Sequence, residues 1–441
     1  MLTADPIAVS DASGIGTHRA ALASVVLLVV LGIALRGYFF EPQIARSPDE
    51  YTYTWQANLI LQRGSAAFGL LGDQVLANPA AFAIRPSPIR AAYLWLLAGV
   101  MNITGEHGLL AGAYISLVAS CLNLCLLAFA AWRWLSPRAA LIAALFCSTF
   151  PCDLVIARRA WQDAWIELLC DLVLVAALAL FTARPQRSAV LLTSIGALGV
   201  LCALTKENAA LFFVLSSAVL AVWNIFRRNL RLAILVTAVS AAALFLAFAI
   251  LAVLFHGPGN LIHVEQVCMH FSALGAYELQ FDTGTPMMFV HLLALVSPVL
   301  TCTAVAACVA LGYRRFALRT STEPMISTLT VLLFCMLAIQ VSSGRYNLRY
   351  AAPVYGSLIL LAAWTLDQAT SIAIGWMDSL GRPVAIAAVI IALAAGALRD
   401  LNFGRDHLLN TGIQDLALRP VLGAPAARLS NPSDLPVEEI R

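Results

Sequence analysis

The feature that most constrains this chain is a series of eleven long apolar runs, at about 20–40, 109–132, 139–157, 163–183, 189–205, 208–226, 232–255, 287–312, 325–342, 350–366 and 383–398. Crossing the hydrocarbon core of a bilayer takes about 20 apolar residues in a helix. Lipid offers no hydrogen-bond partners, so a spanning backbone must satisfy its own polar groups. Runs this continuous predict helices. Charged residues make up only 12% of the chain and hydrophobic ones 61%, whereas a soluble domain carries roughly 25% charged residues. The expected fold class is an all-α polytopic membrane bundle of about eleven spans (eleven to thirteen). The formal net charge of +3 gives no basic footprint for nucleic acid.

The segment 41–108 is too polar to be one span and reads as the first external loop. Within it, 49–63 and 89–103 are amphipathic and predict surface helices. Residues 1–19 are polar, and the run after them lacks a cleavage-site pattern, so it is expected to be a retained span with a cytoplasmic N-terminus. The membrane domain is expected over 20–398. The segment 256–286 forms a second external loop, and 399–441 reads as a polar tail. Arginines recur at alternate turns, as Arg133 and Arg138, Arg184 and Arg187, Arg227, Arg228 and Arg231, then Arg314, Arg315 and Arg319. That is the positive-inside pattern. The ten cysteines lie mostly within apolar runs and form no CxxC pair, so they read as small core residues, with neither a disulfide framework nor a zinc site.

The exceptions to the charge pattern carry the chemistry. Arg46, Arg63, Arg85, Arg90, Arg158, Arg159, Lys206, Arg345 and Arg349 fall on the expected outer face, and Lys206 is the only lysine in the chain. Such groups either snorkel to lipid headgroups or converge on an external phosphate. Asp49 and Glu50 stand together at the start of the first surface helix. Acids at a membrane face are costly unless they have a task. Two roles are open to Asp49, capping its helix or acting as a base. Asp163 either caps its span or lines a cavity, and Lys206 either pairs with Glu207 or binds an anion. His256, His263 and His270 recur every seven residues. They lie near one face of any helix there, with a metal site as one reading and a substrate-facing loop as the other.

The order of these features resembles the GT-C membrane glycosyltransferases, in the branch of protein O-mannosyltransferases and lipid A aminoarabinose transferases. The chain has an acidic Pro-Asp-Glu-Tyr51, then Ile-Arg-Pro-Ser-Pro-Ile-Arg-Ala-Ala-Tyr-Leu-Trp-Leu-Leu97 where the family has a KPP-x-x-x-W-L type segment. Phe-Pro-Cys-Asp-Leu-Val-Ile-Ala-Arg-Arg-Ala-Trp-Gln-Asp163, Leu204-Thr205-Lys206 and Arg349-Tyr-Ala-Ala-Pro353 follow. Arg85 replaces the family's usual lysine, and Pro86-Ser-Pro88 its usual Pro-Pro.

The resemblance implies sugar transfer, with inversion, from a polyprenyl-phosphate donor to a periplasmic lipid, glycan or protein acceptor. It also implies location in a bacterial inner membrane and action without a cofactor or metal. It makes Asp49, with Glu50 beside it, the catalytic acids, Asp49 as a base of raised pKa. Arg85, Lys206, Arg349 and Arg159 become the donor-phosphate ligands, and Asp163, Tyr53, Trp161 and Tyr350 the sugar and acceptor contacts. A flippase or transporter for an anionic lipid is the competing class, expected to place polar groups near the bilayer midplane in two related halves.

Overall fold

A computed structural model describes residues 12–40, 48–79, 86–182, 185–274, 288–316, 324–342, 347–376 and 381–409. Among them, eight helices are long and apolar enough to cross a membrane, at His18–Tyr38, Leu109–Trp134, Asp163–Thr182, Arg187–Thr205, Glu207–Phe226, Leu230–Leu254, Leu348–Gly375 and Gly381–Leu408. The remaining three expected spans, at 139–157, 287–312 and 325–342, contain shorter apolar helices.

Proline accounts for two of those interruptions. The run 139–157 is not one helix but α6 (Pro137–Thr149) and α7 (Pro151–Ile156). Pro151 has no N–H to continue the ladder and forces its predecessor out of the helical region, and Phe150 is accordingly extended at φ −65° and ψ 114°. Pro298 divides 287–312 in the same way, into α13 (Met288–Val296) and α14 (Pro298–Phe316). Both ends of the chain's helical region run past expectation. The first helix, α1, begins at Ala12, and the last, α17, spans Gly381–Phe403 and continues into a π turn to Leu409. Residues 410–441 of the expected tail, and the first 11 residues, lie outside the described part.

The bundle is built around α5 (Leu109–Trp134), α6 and α8 (Asp163–Thr182), with α1 laid on α5 and α6. The contact faces are rich in alanine, including Ala128, Ala131, Ala139, Ala140, Ala143 and Ala144, all buried. Small residues let membrane helices approach closely, and that packing replaces the hydrophobic drive that lipid removes. At Gly32 of α1 a Cβ would sit 2.2 Å from the Ser148 hydroxyl of α6, so only glycine admits this approach.

A second, smaller core lies at one end. The expected surface helices are present as α2 (Pro48–Arg63) and α4 (Ala91–Thr104), joined by an unforeseen α3 (Ala66–Ala77). The loop 256–286 contributes α12 (Pro258–Leu274). Tyr53, Phe68, Tyr93, Leu97, Phe255 and Val264 bury one another between these helices and the ends of α9 (Pro185–Thr205) and α11 (Leu230–Leu254). The cap is therefore a packed layer, not a set of independent surface helices.

Inside the bundle, Arg36 of α1 pairs with Asp153 of α7. Arg36 also donates to the Ser120 hydroxyl at 2.6 Å and to the carbonyls of Gly32 at 3.1 Å and Cys147 at 3.0 Å. Ser120 in turn donates to Asp153 at 2.8 Å. Removing one partner of a buried pair strands the other charge and costs about 3–5 kcal/mol. Arg36→Ala is therefore expected to lower the thermal midpoint in detergent sharply. Arg36→Met combined with Asp153→Asn, followed by intrinsic fluorescence, should recover most of the loss.

Candidate functional site

The site lies where the cap meets the bundle, and five chain segments build it. Pro48 opens α2, which puts Asp49 and Glu50 in its first turn; acids there complement the helix dipole. The turn 157–162 between α7 and α8 supplies Arg159 and Trp161. It is tied down by the Ser116 hydroxyl donating to the Trp161 carbonyl at 2.8 Å and the Tyr93 hydroxyl donating to the Ala160 carbonyl at 3.3 Å. Asp163 begins α8, and Lys206 is the single residue between α9 and α10 (Glu207–Phe226). Arg349 and Tyr350 lie on a 3₁₀ turn, Leu348–Val354, capped by the Asn347 side chain, which accepts from the Arg349 N–H at 3.1 Å.

Acids and bases pair across these segments. Arg349 Nη2 donates to Asp49 Oδ2 at 2.7 Å, and Lys206 Nζ to Asp163 Oδ1 at 3.3 Å. Glu50 is held more tightly. Arg159 reaches it with Nε at 2.8 Å and Nη2 at 2.6 Å, and the Ala160 N–H adds a third bond at 3.2 Å. That two-pronged grip suits the planar guanidinium fork. Trp161 lies under both Arg159 and Arg349, whose guanidinium carbons stand 4.3 Å and 5.1 Å from its ring centre, and the Tyr350 ring faces Lys206 and Arg349, each at 5.2 Å. Aromatic faces favour cations stripped of water.

Tyr53 accepts a hydrogen bond from Arg90, a residue sequence reasoning had counted only among the outer basic groups. With its amide turned to suit its neighbours, Gln162 accepts from Arg90 at 2.8 Å and from the Tyr53 hydroxyl at 3.0 Å, and donates to the Thr205 carbonyl at 3.2 Å. This network braces α2, the start of α4 and the α7–α8 turn from below. Arg85, expected among the phosphate ligands, lies outside the described residues. The remaining expected site residues come together at this one place.

The electrostatics differ from expectation at Asp49. Burial pushes its carboxyl up, but Arg349, with Arg90 and Lys206 behind it, outweighs burial and holds it below the usual carboxylate value. The anticipated raised pKa is absent because the nearest cation is paired with the acid itself. Lys206 is lowered by burial and by the nearby guanidiniums of Arg90 and Arg349, against the pull of Asp163. At the rim, Glu265 of α12 accepts from the Ser87 hydroxyl at 3.4 Å. Burial first, then Glu207, push its carboxyl up to about 7. Among the described residues no group of three or more His, Cys, Asp or Glu is arranged to hold a metal ion.

Below the site lies a second polar group, of which sequence reasoning had not singled out Glu167. Glu167 and Asp171 follow Asp163 at four-residue intervals down α8 and are fully enclosed. The Asn123 amide donates to Glu167 at 3.0 Å. The spacing was a readable signal, since residues four apart share a helix face.

No protein-family model and no curated protein matches the sequence. The arrangement of helices is the GT-C fold of polytopic membrane proteins. It is similar to ArnT from Cupriavidus metallidurans bound to undecaprenyl phosphate, with a TM-score of 0.55 and 17% identity, covering 90% of this chain and 74% of that one. It also resembles archaeal oligosaccharyltransferase AglB from Archaeoglobus fulgidus in complex with an inhibitory peptide and a dolichol-phosphate. There the TM-score is 0.56 and the identity 12%, over 88% of this chain and 56% of AglB.

The raised carboxyl of Glu265 makes stability depend on pH. Between the ordinary glutamate value and about 7 the folded chain binds a proton that the unfolded chain has released, so stability falls as pH rises through this window. Asp49, being lowered, acts in the opposite sense and only at pH below the ordinary carboxylate value. Thermal midpoints taken from about pH 5 to about pH 8 should decline in the wild type and flatten in Glu265→Gln.

Proposed function

We propose that this chain is an inverting glycosyltransferase that takes a sugar from a polyprenyl-phosphate donor and passes it to an acceptor outside the cytoplasm. The observation that carries the reading is the pair of buried acid–base contacts, Asp49–Arg349 and Asp163–Lys206, set among Trp161 and Tyr350. Such pairs offer cations to an incoming phosphate and a carboxylate to an acceptor hydroxyl. ArnT with undecaprenyl phosphate and AglB with a dolichol-phosphate share the fold and hold ligands of this kind.

The mechanism is an exchange of anions. The donor phosphate competes with Asp49 for Arg349 and with Asp163 for Lys206. Its charge then draws on two cations placed in advance, with Arg85 expected as a third. Asp49, losing its cation, becomes a stronger base. It takes the proton of the acceptor hydroxyl as that oxygen forms a bond to the anomeric carbon from the face opposite the phosphate. The carbon–oxygen bond to phosphate breaks with its electron pair left on the phosphate, and the sugar inverts. Asp163, once released, is placed to accept a sugar hydroxyl, and Trp161 and Tyr350 offer faces to the ring. Glu50, held by Arg159 and the Ala160 N–H, positions the first turn of α2, and through it Asp49.

A transporter for an anionic lipid is the second reading, and one observation favours it: Arg36, Asp153, Glu167 and Asp171 lie enclosed within the bundle. Against it, Arg90, Arg159, Lys206 and Arg349 gather where the cap meets the bundle, and the two halves of the sequence do not resemble each other.

Asp49→Asn is expected to cut turnover by about 10²–10⁴-fold, leaving the fold and carrier binding intact. The assay follows free polyprenyl phosphate released from a panel of polyprenyl-phosphate sugars in nanodiscs. Near-normal turnover would remove Asp49 as the base, and tight carrier binding without release from any donor would favour the transporter. Lys206→Ala should weaken carrier binding by about tenfold to a hundredfold, the value of a charge-assisted hydrogen bond. A change confined to acceptor preference would overturn its phosphate role.

A further inference from the structure

Arg90, Arg159, Lys206 and Arg349 meet at the site, and one of the four has no acid. Arg159 grips Glu50, Arg349 holds Asp49 and Lys206 reaches Asp163, whereas Arg90 makes no ion pair among the described residues. Its contacts are neutral. Nη1 donates to the Tyr53 hydroxyl and, at 2.8 Å, to the Gln162 amide oxygen. These oxygens orient the guanidinium without cancelling its charge, and Glu207 and Asp49 act on it through space.

What Arg90 leaves unused is one whole edge. Its Nε is enclosed and meets no acceptor among the described residues, and its Nη2 makes no hydrogen bond among them. Nε with Nη2 is the same edge by which Arg159 holds both oxygens of Glu50, at 2.8 Å and 2.6 Å. Two parallel N–H groups on a planar fork match a carboxylate or a phosphate. A partly buried guanidinium with neutral partners and an empty fork is destabilising, and an oxyanion on that edge relieves it.

The position of Arg90 suits the donor. It stands close enough to both single-contact pairs to act on each: with Arg349 it opposes burial at the Asp49 carboxyl, and it adds to burial in lowering the Lys206 ammonium. Building on the transfer reading, we propose that Arg90 is the cation on which the donor phosphate first docks. Its Nε–Nη2 edge takes two phosphate oxygens without displacing any acid. Arg349 and Lys206, which must first give up Asp49 and Asp163, join the phosphate afterwards. Tyr53 and Gln162 hold the fork in place.

The test is equilibrium binding of sugar-free polyprenyl phosphate to the intact chain in detergent, by microscale thermophoresis, with the matching polyprenol as the phosphate-free control. The wild type is expected to prefer the phosphate. Arg90→Gln should weaken phosphate binding by about tenfold to a hundredfold, the value of a charge-assisted hydrogen bond, and leave polyprenol binding unchanged. Arg90→Lys, which keeps the charge and loses the fork, should fall between. Gln162→Met cuts a contact that holds Arg90 but keeps the guanidinium, and should retain the preference. Unchanged phosphate binding in Arg90→Gln, or an equal loss of phosphate and polyprenol, would remove Arg90 as a ligand and leave the donor reading intact. A loss in Gln162→Met as large as in Arg90→Gln would reduce Arg90 to a brace for the cap and overturn the proposal too. No preference for the phosphate in the wild type would overturn the donor reading itself, and the docking role with it.

Discussion

The contact between Glu50 and Arg159 is the one on which the rest of the site depends. It spans 109 residues of sequence and joins the first turn of the cap to the turn between α7 and α8. Taking two charges out of water costs several kcal/mol for each ion, and only good geometry with further hydrogen bonds offsets it. Here the carboxylate is gripped by two prongs of the guanidinium and by a backbone N–H, and Trp161 covers the cation. With that joint made, Asp49 and Arg349 are brought within reach of each other, and Arg159 and Arg349 both stand against the Trp161 ring.

The neighbouring pairs are built for a different end. Asp49 makes a single contact with Arg349, and Lys206 reaches Asp163 at 3.3 Å. A one-point contact is easier to exchange for another anion than a bidentate one. The site thus combines one bidentate ion pair with two single-contact ones. The contact with Arg349 explains the low pKa of Asp49: the Arg349 guanidinium outweighs the effect of burial on its carboxyl.

Much of this was legible in the chain. Asp49, Glu50, Lys206 and Arg349 stand at helix ends next to apolar runs, where a charge has few reasons to be, and local order along the sequence kept their motifs together. Arg90 was seen but not placed, because its partners Tyr53 and Gln162 lie on two other segments. Asp153 could not be given a partner from the sequence, because Arg36 is 117 residues away from it. The four-residue spacing of Asp163, Glu167 and Asp171 was the one local clue to the inner polar group. The short helix α3 went unforeseen, as its apolar character resembles a fragment of a span and only packing against α12 and α2 makes it part of the cap.

The sequence by itself determined that the chain is a helical membrane protein, because lipid allows no other use for runs so long and so apolar. It also determined where helices break, through Pro151 and Pro298, and which charges stand at the ends of spans. Only the tertiary structure decided which acid meets which base and that the cap helices share a core. Those outcomes depend on side chains brought together from distant parts of the chain, and periodicity carries no information about which helix lies beside which.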